Sequence, residues 1–245
     1  MTGRAIEHAA VVLPAHNEEQ HLGPALTALQ RAADALPHHC PDVTVSITVV
    51  LDSCTDGSAA IAAAFAAADP RLGMVAVDVR STGESRAAGI GAALETLRHE
   101  RAAVWLANTD ADSIVPEDWL VGHVRMADSG VDAILGSVEP NAQDLEPALL
   151  HRWLELHPFH EDHPHIHGAN FGVRASSYLA VGGFPRLRAH EDRVLAELLR
   201  REGHRVRATD TLRIITSGRT HARAPQGFAA YLHALSQELP AASAL

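Results

Sequence analysis

The sequence predicts an α/β protein built on a mostly parallel sheet with helices on both faces. Three observations predict it. Short, wholly apolar runs recur through the first half of the chain, and stretches with helical spacing of apolar residues alternate with them. Acidic or small residues stand where the apolar runs end: Asn17 and Glu18, Asp52, Gly83 and Arg86, Asp110 and Asp112. Strands buried on both faces read as continuous apolar runs, and such sheets take ligands beyond the carboxyl ends of their strands.

The elements follow in order. Ala9–Pro14 (AAVVLP) is the first strand. Asn17 offers an N-cap with Glu18 and Glu19 in the first turn, and Leu22, Ala25, Leu26, Leu29, Ala33 and Leu36 follow at helical spacing. Val43–Leu51 is rich in β-branched residues and reads as the second strand. Asp56-Gly57-Ser58 leads into an Ala-rich helix, Met74–Arg80 is a third strand, and Glu84–Arg98 a helix after Gly83. Ala103–Ala107 is a fourth strand, and Pro116 opens a helix at a first-turn position. In the second half, Asp144–Glu155 reads as helix, and six histidines between His151 and His167, with Pro158 and Pro164, predict an irregular loop. Gly168–Arg174 is a strand and Glu191–Arg201 a helix; Arg205–Ala208 and Leu212–Thr216 are short strands before a last helix near Gly227–Leu239. No composition break divides the chain, so one domain is expected over residues 1–245.

Twenty Lys and Arg against thirty Asp and Glu, a net charge of −10, exclude a general nucleic-acid binder. Two cysteines, Cys40 and Cys54, form neither a disulfide framework nor a zinc motif, which fits a reducing compartment and a cytoplasmic location. The longest apolar run, Ala59–Ala68, is far too short to span a membrane; only peripheral contact stays compatible.

Several residues carry candidate chemistry. Asp110 and Asp112 stand at i and i+2 after a strand, and on extended backbone both would point the same way and share a hard divalent cation. Such a spacing arises by chance about once in a chain with this much Asp, and a capped turn is the plain alternative. Asp52, at a strand end, can accept hydrogen bonds from a nucleobase or ribose. Asp56 and Ser58 are ordinary caps. Gly83 and Arg86 at a helix start favour phosphate. Glu191 and Asp192 complement a helix dipole or, alternatively, present a base to a substrate hydroxyl.

The ordered set is more specific than its parts. V-V-L-P-A-H-N-E-E, D-S-C-T-D-G-S, G-E-S-R-A-A-G, T-D-A-D, H-G-A-N-F-G-V-R with G-G-F, and H-E-D-R together resemble glycosyltransferase family 2 with the GT-A fold, from about Val11 to Leu232. The resemblance implies a metal-dependent, inverting transfer, by a hexosyltransferase, of a sugar from a nucleotide diphosphate to an acceptor hydroxyl, with Mg²⁺ or Mn²⁺ as cofactor. A UDP-sugar is the expected donor, with GDP- and TDP-sugars as alternatives. It implies that Pro14, His16, Glu18, Asp52, Gly83, Arg86 and Asp110 line the nucleotide pocket. Asp112 would ligate the metal with Asp110, and His221, or Arg219 and Arg223, would add a third ligand or phosphate contact. Gly168 and Asn170 would lie near donor sugar and acceptor; Asp192, with Glu191 beside it, would be the base. A sugar-phosphate nucleotidyltransferase and a catalytically silent nucleotide-binding module are the competing functions; the first lacks its Gly- and Arg/Lys-rich loop in VVLPAHNEEQ.

Overall fold

The computed structural model describes residues 4–187, 189–220 and 227–238. Among them, eight strands form one sheet in the order β3-β2-β1-β4-β7-β6-β8-β5. These are β1 (His8–Ala15), β2 (Thr44–Asp52), β3 (Leu72–Val77), β4 (Val104–Asn108), β5 (Ser113–Ile114), β6 (Ala133–Pro140), β7 (Phe171–Arg174) and β8 (Val206–Thr216). The pairs β1/β2, β2/β3, β1/β4 and β6/β8 are parallel, whereas β7 runs antiparallel to β4 and β6, and β5 to β8.

β1 shows why the sheet is covered on both sides. Ala9, Val11 and Leu13 point into one core with α1 (Leu22–His39), α2 (Ser58–Ala68) and α4 (Trp119–Asp128). Ala10 and Val12 point into the other with α3 (Thr82–Thr96), α6 (Ala175–Ala180) and α7 (Glu191–Arg201). Each fully buried Leu or Val adds roughly 1.5–3 kcal/mol. Pro14 lies in this central strand without harm. The Val12 carbonyl accepts from Thr109 on the β4 side, so by strand alternation the Pro14 nitrogen faces that side too, beyond Asn108, where β4 ends. A smaller cluster joins α5 (Pro147–Leu156) to α8 (Phe228–Glu238) through Leu149, Trp153, Leu232 and Leu235.

Several boundaries differ from expectation. The first helix begins at Leu22 rather than at Asn17, because Asn17 takes a left-handed φ of 54° and its side chain accepts from the Thr55 amide. The third strand is displaced toward the N-terminus, ending at Val77, since Asp78–Ser81 is drawn into a turn described below. The helix after Pro116 starts at Trp119, following a turn closed by the Trp119 amide on the Pro116 carbonyl. The two short strands at 205–216 are one, with a register shift opposite Gly136 and Val138. β6 was not expected at all. Of the histidine segment, His151 belongs to α5, and residues 157–167 are irregular but packed. The ring of His157 stacks on Trp153 at 4.6 Å, and His165 lies 4.9 Å from His157 and 5.9 Å from His163.

Candidate active site

The carboxyl ends of β1, β2, β3 and β4 lie side by side, and the loops leaving them carry most of the expected residues. Asp110 and Asp112 follow β4, in a turn rather than on extended backbone. The Ser113 amide donates to the Asp110 carbonyl at 3.1 Å, and the chain returns at once as β5. β8 locks this turn: the Ser217 amide donates to the Asp112 carbonyl, and the Thr216 hydroxyl to Asp112 Oδ1 at 3.3 Å. Arg219 Nη2 lies 2.9 Å from Asp112 Oδ2 and 2.8 Å from Glu18 Oε1, while Nη1 donates to Glu18 Oε2 at 2.9 Å. Burial pushes the Asp112 carboxyl up to about 6 against the pull of Arg219, with Asp110 and Glu18 adding to the rise.

Arg86, on α3, is only 3% exposed. One nitrogen of its guanidinium donates to Asp110 Oδ1 at 2.6 Å and another to Glu191 Oε1. Two glycines make room for this. A Cβ on Gly168 would lie 2.3 Å from Arg86 Nη1, and one on Gly83 would lie 2.7 Å from Glu191 Cγ. The expectation that Gly83 and Arg86 face phosphate therefore does not fit their placement. Gly83 packs on Glu191, and Arg86 spends its charge on two carboxylates inside the protein. Burial raises the Glu191 carboxyl, Arg86 lowers it, and Asp192 raises it; the net direction is upward.

The start of α3 holds an anion, and the anion is Asp52. Its Oδ1 accepts from the amides of Val79 and Arg80, both at 3.0 Å, and Oδ2 from the Ser81 amide at 3.2 Å and the Ser85 hydroxyl at 2.8 Å. A carboxylate offers about four lone-pair positions, and these bonds fill them. A nucleobase contact by the Asp52 carboxylate, expected from the motif, is left without a lone pair; the residue orders the 78–81 turn instead. Burial alone would raise its carboxyl, but the Arg80 amide and the Ser85 hydroxyl outweigh it and hold it low. His16 is exposed, and its Nδ1 lies 2.6 Å from the Asp52 carbonyl oxygen. Glu18 is buried beside Ser58, whose Oγ accepts from the Glu18 amide at 2.8 Å.

Asp192 sits in the first turn of α7. Its Oδ2 accepts from the Gly168 amide and Oδ1 from the Arg193 amide, each at 2.7 Å. Gly168 is thus brought to the site, but Asn170 is not. Fully buried, Asn170 accepts from Trp119 Nε1 at 3.0 Å and donates to the carbonyls of Ser137 and Leu212 at 2.9 and 2.7 Å. It ties α4, β6 and β8 together beneath the site, and its amide is spent before any sugar arrives. His221 and Arg223 lie outside the described residues.

Sequence reasoning named Arg219 without its partners, and passed over Thr216 and Ser217 entirely. The available signal was the polar run after β8, which places donors where a strand ends. Backbone strain also gathers here. Asn17, Ser53, Arg80 and His190 have φ between 50° and 63°, and all four adjoin site residues.

Among the described ion pairs, Asp110 and Glu191 share Arg86, Asp112 and Glu18 share Arg219, and Glu18 also meets His21 at 3.2 Å, so carboxylates crowd the turn. Hard carboxylate oxygens with surplus negative charge fit Mg²⁺ or Mn²⁺, which often binds through one or two carboxylates plus phosphate. Among the described residues no group of three or more His, Cys, Asp or Glu is arranged to hold a metal. Asp110 and Asp112 would supply two ligands.

A family model described as glycosyl transferase family 2 matches residues 10–180. No curated protein matches significantly in sequence. Among solved structures, the chain is similar to a mannosyltransferase from Pyrobaculum calidifontis in complex with GDP-Man and Mn²⁺. That match has 20% identity and a TM-score of 0.63, covering 90% of this chain and 59% of the other. GalNAc-T7 with UDP, GalNAc and Mn²⁺ matches at 12% identity and a TM-score of 0.61, over 86% of this chain and 44% of that one. Glucosyl-3-phosphoglycerate synthase from Mycobacterium tuberculosis, with Mn²⁺, UDP and phosphoglyceric acid, matches at 16% identity and 0.56, over 94% and 75%. These likenesses establish the GT-A fold. The chain spans less than two thirds of the first two structures.

Proposed function

The chain belongs to glycosyltransferase family 2, and from that premise we propose that it moves a sugar from a nucleotide diphosphate to an acceptor hydroxyl with inversion. One observation carries the reading. Arg86 joins Asp110, on the acidic turn, to Glu191, the neighbour of Asp192, so the metal-type carboxylates and the candidate base share one buried guanidinium.

Asp110 and Asp112 would hold Mg²⁺ or Mn²⁺, which when bound takes up charge on the departing diphosphate. Residues 9–115 would form the nucleotide half, with exposed His16 at its rim, and residues 130–235 the acceptor half of one domain. UDP is the expected nucleotide; the structural neighbours were solved with either GDP-Man or UDP. Of the two adjacent acids, Asp192 is the base. Glu191 is buried in its ion pair with Arg86, whereas Asp192 is part-exposed and oriented by two amides. Asp192 takes the acceptor hydroxyl proton as that oxygen bonds the anomeric carbon; the bond to the diphosphate breaks and its electron pair leaves with the diphosphate. Two free cysteines, and the lack among the described residues of any helix long and apolar enough to cross a membrane, support a cytoplasmic enzyme.

The test is to offer UDP-, GDP- and TDP-hexoses with simple glycoside and phosphorylated acceptors, with Mn²⁺ or with chelator. Release of nucleoside diphosphate should require the metal, and proton NMR should show an inverted anomer. A retained anomer would sink the single-displacement mechanism, and no turnover of any donor would sink the reading as a whole.

A further inference from the structure

The acidic turn has a resident cation of its own. Arg219 Nη2 reaches Asp112 Oδ2 at 2.9 Å, and the same guanidinium grips both oxygens of Glu18 at 2.8 and 2.9 Å. Its hold on Glu18 is bidentate and its hold on Asp112 is a single contact. Bidentate guanidinium–carboxylate pairs are the stronger kind. Arg219 stands two residues beyond Ser217, which with Thr216 locks the Asp112 turn, so its backbone is held near this carboxylate.

We infer that Arg219 and the divalent ion compete for Asp112, and that the ion's entry transfers Arg219 from Asp112 to the diphosphate while Glu18 keeps it anchored. The inference rests on the metal reading proposed above and adds a positioning residue to it. The chemistry follows from charge. One carboxylate cannot give the same lone pair to a guanidinium and to a metal, and two cations at that range repel. The weaker of the two Arg219 contacts yields. The freed N–H then lies beside the ion, where a metal-bound diphosphate brings fresh negative charge. Glu18 therefore acts through Arg219, and its burial keeps the anchor stiff.

The exchange makes opposite predictions for two ligands, which a purely structural role for Arg219 does not. Free Mn²⁺ is followed by electron paramagnetic resonance during titration of the unaltered protein, Arg219→Met and Arg219→Lys, each checked for folding by circular dichroism. Arg219→Met should bind Mn²⁺ alone about fivefold or more tighter. It should bind inorganic pyrophosphate, at saturating metal, about tenfold more weakly. Arg219→Lys, which keeps the competing charge, should bind Mn²⁺ about as the unaltered protein does. Unchanged or weaker Mn²⁺ binding by a folded Arg219→Met protein would overturn the exchange while leaving the proposed function intact. No Mn²⁺ binding by the unaltered protein would overturn the metal reading itself, and the exchange with it. If Arg219→Met fails to fold, the unaltered protein still decides the matter. Mg²⁺ alone should move the Arg219 side-chain N–H resonances in nitrogen-15 NMR, and unmoved resonances would contradict the exchange.

Discussion

Glu191 and Asp192 are adjacent acids with opposite surroundings, and the difference assigns their work. Glu191 is locked to Arg86, whereas Asp192 holds two amides and keeps part of its surface in water. Asn caps a helix about as well as Asp, so a capping role predicts little change on Asp192→Asn. A base contributes ~10²–10⁴-fold. Asp192→Asn should therefore lower kcat at least about a hundredfold with donor affinity unchanged; steady-state kinetics and calorimetry decide between the two. Gly168→Ala probes the clamp behind it. The new methyl would stand 2.3 Å from Arg86 Nη1, and dislodging a buried ion pair costs about 3–5 kcal/mol. Activity should fall with stability, and a variant as stable and active as the parent would argue against the clamp. Motif spacing revealed which of these residues gather at strand ends. It did not reveal that Asp52 orders the 78–81 turn, or that Gly83 makes room for the Glu191 that Arg86 holds, because a motif read along the chain carries no record of what stands opposite it in the fold.

At the scale of elements, the first strands and the helices α5, α7 and α8 of the second half were legible, whereas β6 and the unbroken β8 were not, for a physical reason. β1, β2 and β4 are buried on both faces, so their apolar runs stand out. β6 is equally buried, yet AILGSVEP mixes Gly, Ser, Glu and a terminal Pro with its apolar residues and hides the strand. Thr209-Asp210-Thr211 likewise splits β8 in sequence, where the structure absorbs these residues beside a register shift, with the Thr209 hydroxyl and the Asp210 amide donating to Glu161. α3 was found, but not how near it lies. A Cβ on Gly89 would come within 2.5 Å of Val50 Cγ2 and 2.6 Å of Val12 Cγ1. Forcing volume into such a contact costs about 1–3 kcal/mol. Gly89→Ala should lower stability by that amount in denaturant unfolding, despite the better helix propensity of Ala; a stabilised variant would show that α3 is free to shift outward.

Across the whole molecule, buried neutral histidines tie stability to pH. Burial lowers His123 to about 3, and burial with His99 nearby lowers His8 to about 4. Their folded values lie below the ordinary 6.5, so the unfolded chain takes up protons that the native state refuses. Stability is therefore complete above about pH 6.5 and is lost as pH falls from there, by ~2 kcal/mol for each at pH 5. His167, also lowered to about 3 but part-exposed, adds less. Asp112, raised to about 6, works the other way and returns ~1 kcal/mol. Tm should drop by about 5–10 °C between pH 7 and pH 5; a flat or rising profile would mean that these imidazoles accept protons in place. The central claim is that the Asp110–Asp112 turn binds nucleoside diphosphate through a divalent metal. Its most direct test is the Mn²⁺ dependence of the stabilisation that UDP, GDP and TDP give to the protein and to Asp112→Asn. At a hundred times its dissociation constant, one of these nucleotides should add ~2.7 kcal/mol with Mn²⁺ present, and nearly none with chelator or in Asp112→Asn. Equal stabilisation with and without metal, or an Asp112→Asn protein that responds like its parent, would contradict it.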